Sequence, residues 1–283
     1  MLTRDLVAGA VRRLEAAGVP SPDYDARELL AHVLGTTRAQ LPVVADIDAA
    51  QARSFEELVV RREAREPLQH LIGTAAFRYV ELAVGPGVFV PRPETESLAG
   101  WGVDRAREVV AAGREPVIVD LCTGSGAMAL ALATEVPEAH VHAVELDESA
   151  HAWATRNLEG SGVDLRLGDM AESFRDLDGT VDVVVCNPPY IPLEAYESVA
   201  AEARDHDPAL ALWSGEDGLD AMRVLERVAA RLLSPGGVVG AEHAEVQAES
   251  APAVFAGAAR WSDVRDNLDL AGRPRFVTAR LAR

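Results

Sequence analysis

Asn187-Pro188-Pro189-Tyr190 follows directly on the apolar run Val181–Cys186 and is the segment best equipped for chemistry. Two successive prolines withdraw two backbone donors and stiffen the turn, which leaves carbonyl oxygens free to accept from a ligand. A rigid loop would use prolines in the same way, but the flanking Asn and Tyr add an amide and a ring that a plain turn does not need. A second segment, Asp120-Leu121-Cys122-Thr123-Gly124-Ser125-Gly126, leads from an apolar run into a helical one. Gly124 and Gly126 let the backbone turn sharply and approach a ligand, and the helix start offers unpaired N–H groups. A Gly-x-Gly serves a tight turn as readily as a ligand site, and Ala129 in place of a third glycine does not exclude a dinucleotide. About 20 residues further on, Glu145 closes the next apolar run, where an acid can accept both hydroxyls of a ribose. Gly168-Asp169-Met170 then adds a carboxylate for an adenine amino group and an apolar side chain to cover the ring. Together these segments predict a nucleoside site at the carboxyl edge of a sheet.

Apolar spacing predicts the elements that hold these residues. Residues 1–73 read as a small helical bundle, with one helix from Ser21-Pro22 to Gly35 and another opened by a capping box of Asp48 and Gln51. Residues 74–93 read as a hairpin linker of two short strands around Gly85-Pro86-Gly87, before a helix starting near Glu94. Residues 94–283 alternate continuous apolar runs (117–121, 141–145, 165–167, 181–185, 238–242) with amphipathic stretches (126–135, 147–159, 218–233, 246–258). This is the signature of a doubly wound α/β sheet, and two late strands near 262–268 and 275–282 form an antiparallel edge.

The chain has 283 residues, 48% hydrophobic and 25% charged, an ordinary globular mix with a net charge of −18. All 27 basic residues are arginine, which excludes Schiff-base lysine chemistry and a phosphate-binding P-loop lysine. The acid excess argues against a protein that holds duplex nucleic acid by neutralising phosphates. It is uneven: residues 1–73 carry 11 acids and nine arginines, so nearly all of it belongs to the rest of the chain. The near-neutral N-terminal bundle, with Arg61, Arg62 and Arg65 close together, is then left free to dock a partner. Two cysteines, Cys122 and Cys186, make no disulfide framework, the opening residues lack a secretory leader's layout, and no apolar run suggests a membrane span. A cytoplasmic protein is expected. His140 and His142 have no partners at metal-ligand spacing, so no metal site is expected; His243 reads as a packing residue, and Asp266 and Asp269 as surface or structural acids.

The Asn187–Tyr190 tetrad with the Asp120–Gly126 turn resembles the class-I S-adenosylmethionine methyltransferases that act on planar nitrogen. Phe89-Val90-Pro91-Arg92-Pro93-Glu94-Thr95-Glu96, preceded by Pro67-Leu68-Gln69-His70-Leu71-Ile72-Gly73, resembles more narrowly the PrmC/HemK family of protein-(glutamine-N5) methyltransferases acting on peptide-chain release factors. The likeness runs from the helical region to Asp269-Leu270-Ala271-Gly272-Arg273-Pro274-Arg275; Cys122 and Ala244 stand where the family often has glycine.

The resemblance implies a Rossmann-like fold, S-adenosyl-L-methionine as cofactor and class-I release factors as partners. It implies a cofactor held by Asp120, Cys122, Thr123, Gly124, Ser125, Gly126, Glu145, Asp169, Met170 and Asn187, with Asp120 ordering the loop near the methionine amino group. Phe89 would line the transfer pocket, and Arg92, Glu94 and Glu96 its entrance. The expected catalytic set is Asn187, Pro188, Pro189 and Tyr190. The Asn187 oxygen and the Pro188 carbonyl each accept one N–H of the substrate amide, and Tyr190 packs over it. The alternatives are a glutamine methyltransferase of a large-subunit ribosomal protein, and an adenine-N6 methyltransferase of DNA or RNA. The second lacks support from an acidic chain that is 5% aromatic.

Overall fold

A computed structural model of the chain describes residues 2–44 and 46–282. The chain divides into two compact units, Met1–Thr74 with Ala200–His206, and Ala75–Val199 with Asp207–Arg283.

The first unit is helical: α1 Thr3–Ala16, α2 Pro22–Leu34, α3 Ala49–Glu63 and α4 Leu68–Ile72. Apolar residues at helical spacing, including Leu14, Leu29, Leu30, Phe55 and Val59, meet in one core. The Asp48 carboxylate accepts from Ala50 and Gln51 N–H, both at 2.8 Å, and the Gln51 side chain accepts from Asp48 N–H at 3.0 Å, so the expected capping box forms. Gly35, at φ +60°, ends α2 where only glycine turns left-handed without strain.

The three clustered arginines are each engaged by carboxylates. Arg61 pairs with Glu66 at 2.5 Å, and Arg62, 6% exposed at its side chain, bonds Asp25 at 2.8 Å and Glu202 at 2.9 Å. Arg65 bonds the same Glu202 at 2.6 Å. A guanidinium sharing a buried site with carboxylates is held by them, and the helix Ala201–His206 that carries Glu202 is thereby tied to this unit.

The second unit begins within β1 Thr74–Phe77, which is followed by β2 Val80–Ala83. Their turn lies at Arg78-Tyr79, not at Gly85-Pro86-Gly87 as the glycines suggested. Arg78 takes φ +51° and is anchored there by its side chain, which bonds Glu135 at 2.5 and 2.8 Å. Gly85 serves a different need: a Cβ on it would stand 2.7 Å from the Trp153 ring, so the backbone passes there because it has no side chain. Phe77, Leu82, Val84, Val88 and Val90 join the core of this unit, so the hairpin is part of it rather than a linker.

The remaining elements are α5 Thr95–Ala111, β3 Val117–Leu121, α6 Ala127–Glu135, β4 His140–Glu145, α7 Glu148–Asn157, β5 Asp164–Leu167, β6 Val181–Cys186, α8 Ala201–His206, α9 Ala209–Leu212, α10 Asp220–Leu232, β7 Leu233–Glu242, α11 Ser250–Ala256, β8 Trp261–Leu268 and β9 Pro274–Leu281. Seven strands form one sheet in the order β5-β4-β3-β6-β7-β9-β8. β5 to β7 in that order are parallel; β9 runs antiparallel to β7 and β8 to β9, giving the expected edge pair. Ile118, Val183 and Val185 pack with residues of α5 and α6 on one face, and Val119, Leu121 and Val184 with residues of α10 and α11 on the other. Burial on both faces is why these strands read as unbroken apolar runs. The short helices between residues 193 and 212 were not expected. Pieces of four to six residues show no periodicity. Among the described residues no helix is long and apolar enough to cross a membrane.

Candidate active site

Strand order reverses beside β3: the chain goes from β3 outward to β4 and β5, then returns to place β6 on the other side. Such a switch point opens a crevice at the carboxyl ends of the strands. Leu121 stands opposite Cys186 in register, so the Asp120–Gly126 loop and the Asn187–Tyr190 segment leave the sheet side by side.

The loop is held from below by Asp120, which is fully buried. Its Oδ2 accepts from the Thr123 hydroxyl at 2.6 Å and from Ala129 N–H at 3.2 Å, tying the loop to the first turn of α6. Among the described residues its Oδ1 is buried without a hydrogen-bond partner, and burial pushes the carboxyl up to about 7. Thr123 and Ser125 are themselves buried, leaving the loop backbone as the surface a ligand meets. A Cβ on Gly124 would touch nothing within 4 Å, so that face is open, whereas one on Gly126 would press Leu158 at 3.1 Å. Cys122 holds φ +59°, a left-handed conformation that favours glycine.

Glu145 closes β4 and accepts from Gly124 N–H at 2.8 Å and Asp147 N–H at 2.9 Å. Burial raises its carboxyl while these backbone donors pull it back. Leu146 beside it is 55% exposed, an apolar surface at the same strand end that the sequence reading passed over. Asp169 follows β5, exposed, with one oxygen on Ala171 N–H at 2.8 Å. Met170 places its sulfur 3.8 Å from that of Cys122, and Cys122 also bonds Cys186, whose thiol burial pushes up. The predicted nucleoside residues thus gather along three neighbouring strand ends.

On the other side of the crevice, Asn187 Nδ2 donates to the Thr95 hydroxyl at 3.3 Å. The Tyr190 hydroxyl donates to Glu242 Oε1 at 3.1 Å, and the Tyr190 carbonyl accepts from Gln247 Nε2 at 3.0 Å. Burial and the adjacent Glu242 push the Tyr190 phenol up, and burial raises Glu242 as well. Gly218, at φ +76°, lets the chain pass under the turn: a Cβ there would stand 2.4 Å from the Tyr190 carbonyl oxygen. Thr95, Gly218, Glu242 and Gln247 escaped the sequence reading. Thr95 lies inside the Pro91–Glu96 motif and Glu242 at a strand end like Glu145, so both had a signal; Gln247 had none.

Phe89 lies under the Arg92 guanidinium at 4.9 Å, and Arg92 bonds the buried Asp207 at 2.8 Å. Glu94 caps α5. Glu96 is turned to the hairpin instead of an entrance: its carboxylate accepts from Arg78 N–H at 3.1 Å. His243 is buried between the Ala244 carbonyl and Asp266, and Asp269 closes the β8–β9 turn by accepting from Ala271 and Arg273 N–H, so these residues are structural.

A family model of the PrmC N-terminal domain matches residues 5–73, and one of a methyltransferase domain matches residues 118–206. The release factor glutamine methyltransferase of Streptomyces coelicolor is 62% identical over 278 residues, 98% of this chain and 97% of that protein. The protein of the same description from Mycolicibacterium smegmatis is 47% identical over 283 residues, 99% of this chain and 98% of that one. A 4-amino-L-phenylalanine/4-methylamino-L-phenylalanine methyltransferase of Streptomyces pristinaespiralis is 47% identical over 209 residues, 74% of this chain and 71% of that one. Among solved structures, a methyltransferase from Pyrococcus furiosus aligns with TM-score 0.48 at 20% identity, over 80% of this chain and 96% of that one. With a full-length match at this identity and both regions of the chain recognised, the protein belongs to the PrmC/HemK family of release factor glutamine methyltransferases.

Proposed function

We propose that this enzyme methylates N5 of the glutamine in the Gly-Gly-Gln motif of class-I peptide-chain release factors, in the cytoplasm, with S-adenosyl-L-methionine as methyl donor. What carries the reading is Asn187-Pro188-Pro189-Tyr190 beside an open glycine loop at the switch point, in a chain 62% identical to a release factor glutamine methyltransferase.

The crevice suits that cofactor. Asp120 Oδ1 is a buried carboxyl oxygen without a hydrogen-bond partner among the described residues, next to a loop whose Gly124 face is open; once ionised it fits a ligand that is cationic at one end. Glu145 and Asp169 keep lone pairs for ribose hydroxyls and an adenine amine, and Met170 covers a flat ring. When bound, S-adenosyl-L-methionine supplies an electrophilic methyl group on a sulfonium. Cys122, Thr123, Ser125 and Gly126 shape its cradle, and Asn187 borders both ligands.

The difficulty lies in the acceptor. An amide nitrogen shares its lone pair with the carbonyl, and it is too weak an acid for a carboxylate to deprotonate. Asn187 Oδ1 and the Pro188 carbonyl instead accept the two N–H bonds of the NH2 group. They hold the nitrogen in line and stabilise the positive charge it gains, the reverse in sign of an oxyanion hole. Tyr190 packs on the amide plane, Pro189 stiffens the turn, and Phe89 and Arg92 border the entry. As the N–C bond forms the S–C bond breaks, and the nitrogen then releases one proton to water. The helical unit docks the protein substrate.

Labelled S-adenosyl-L-methionine is offered with a class-I release factor, a large-subunit ribosomal protein, 4-amino-L-phenylalanine or duplex DNA. Label on the release-factor glutamine is expected. Label on another acceptor with none on the release factor overturns the reading.

A further inference from the structure

The Asn187 amide is oriented from behind by residues no motif marked as functional. Asn187 Nδ2 donates to Thr95 Oγ1 at 3.3 Å. Thr95 opens α5, is 5% exposed, and its hydroxyl stands against the Glu242 carboxylate, a contact that together with Tyr190 and Arg275 favours the ionised acid against the upward push of burial. Glu242 ends β7, is 1% exposed, and accepts from the Tyr190 hydroxyl at 3.1 Å. Proton counting along this chain has one solution while Glu242 is ionised. A carboxylate has no proton to give, so both Tyr190 and Thr95 donate to it. A hydroxyl has one proton; once Thr95 gives it to Glu242, its oxygen can only accept from Asn187. Asn187 must therefore turn its NH2 to Thr95 and its Oδ1 the other way. The two faces of an amide have nearly the same shape, so packing alone does not choose between them.

We propose that Thr95 and Glu242 are positioning residues for methyl transfer: the hydrogen-bond chain Asn187–Thr95–Glu242–Tyr190 keeps Asn187 Oδ1, not its NH2, toward the substrate amide, and fixes the Tyr190 ring beside it. This rests on the reading of Asn187 as acceptor of a substrate N–H. With the amide flipped, two NH2 groups would face each other and the developing positive charge would meet donors.

The test uses the full-length protein with a release factor and labelled cofactor, comparing wild type, T95V, T95S, E242Q and N187A, with cofactor Kd and melting temperature for each. Valine matches threonine in shape and lacks the hydroxyl, while serine keeps it. Glutamine at 242 can donate to Thr95 and so reverses the chain's polarity. T95V and E242Q should each lose about a hundredfold in kcat, the scale of one misdirected polar group at a reacting centre. Cofactor Kd and release-factor KM should stay near wild type, and T95S should recover most of the turnover. Wild-type turnover in T95V or E242Q while N187A is inactive overturns the proposal. So does equal loss in T95V and T95S, or loss that only follows a fall in melting temperature. Full activity in N187A, or no labelling by the wild type, instead overturns the reading beneath it.

Discussion

Asp120 makes the most quantitative demand on experiment. Its Oδ2 is occupied by Thr123 and Ala129, its Oδ1 is buried without a hydrogen-bond partner among the described residues, and burial pushes its pKa from the usual 3.8 to about 7. The folded protein thus keeps a proton that the unfolded chain releases near pH 4. For an acid raised in this way, the stabilising contribution is full below the unfolded value and is lost as pH climbs through the folded one. Integrated between pH 5 and pH 7, the shift amounts to about 2 kcal/mol of stability lost. Asp120→Asn keeps an acceptor for Thr123 and Ala129 and removes the titration. Urea unfolding at several pH values should show wild type falling about 2 kcal/mol relative to the variant between pH 5 and pH 7. The same proton competes with a cationic ligand, so cofactor affinity in the wild type should be about eightfold weaker at pH 6 than at pH 7.5. In Asp120→Asn the affinity should be weaker throughout and nearly flat over that range. Parallel stability curves for the two proteins, or the same pH dependence of binding in both, would refute the argument.

Other perturbations follow from single contacts. Gly218→Ala forces a Cβ to within 2.4 Å of the Tyr190 carbonyl at φ +76°, so the turn must move; turnover should collapse with cofactor Kd little changed, as filter binding and single-turnover assays can check. Arg62→Ala leaves the buried Asp25 without its guanidinium and should destabilise the helical unit by about 3 to 5 kcal/mol, visible as an early step in urea unfolding. Cys122→Gly relieves a left-handed non-glycine residue and should raise stability by about 1 kcal/mol in the same assay.

The sheet was legible because its strands are covered on both faces, which writes Val181–Cys186 as an unbroken apolar run. The proposed site rests on a motif where chemistry and chain order coincide, Asn187–Tyr190 directly after the buried strand β6. Glycine misled where one residue type serves two ends: Gly85 looked like the hairpin turn but is there to pass the Trp153 ring, while the turn fell to Arg78, held by Glu135. Long-range partners were out of reach. Arg65 finds Glu202 at a separation of 137 residues, which makes it part of an internal clamp, and Thr95 meets Asn187 at a separation of 92. Neither pairing leaves a local pattern, since each depends on two segments the fold alone brings together.

The acid excess acquires a physical meaning only where acids are buried. Exposed carboxylates on the second unit are screened within about 10 Å at ordinary salt and contribute little to the crevice. Asp120, Glu145 and Glu242 lie at the ends of β3, β4 and β7, withdrawn from water, and each has its pKa raised by burial. In an enzyme that needed a base, a buried carboxylate with a raised pKa would be the first suspect. Amide methylation needs none before transfer, because the proton leaves readily only after the nitrogen has become cationic. Both Asp120 Oδ1 and Glu242 Oε2 are nonetheless buried with no hydrogen-bond partner among the described residues, an arrangement that costs stability in the free protein. The cost is intelligible if a positive charge enters as a sulfonium and crosses to the substrate nitrogen. On the proposed reading, carboxylates buried behind the crevice favour that charge at both ends of its path, and through Thr123 and Thr95 they would hold the loop and the Asn187 amide in place for the transfer.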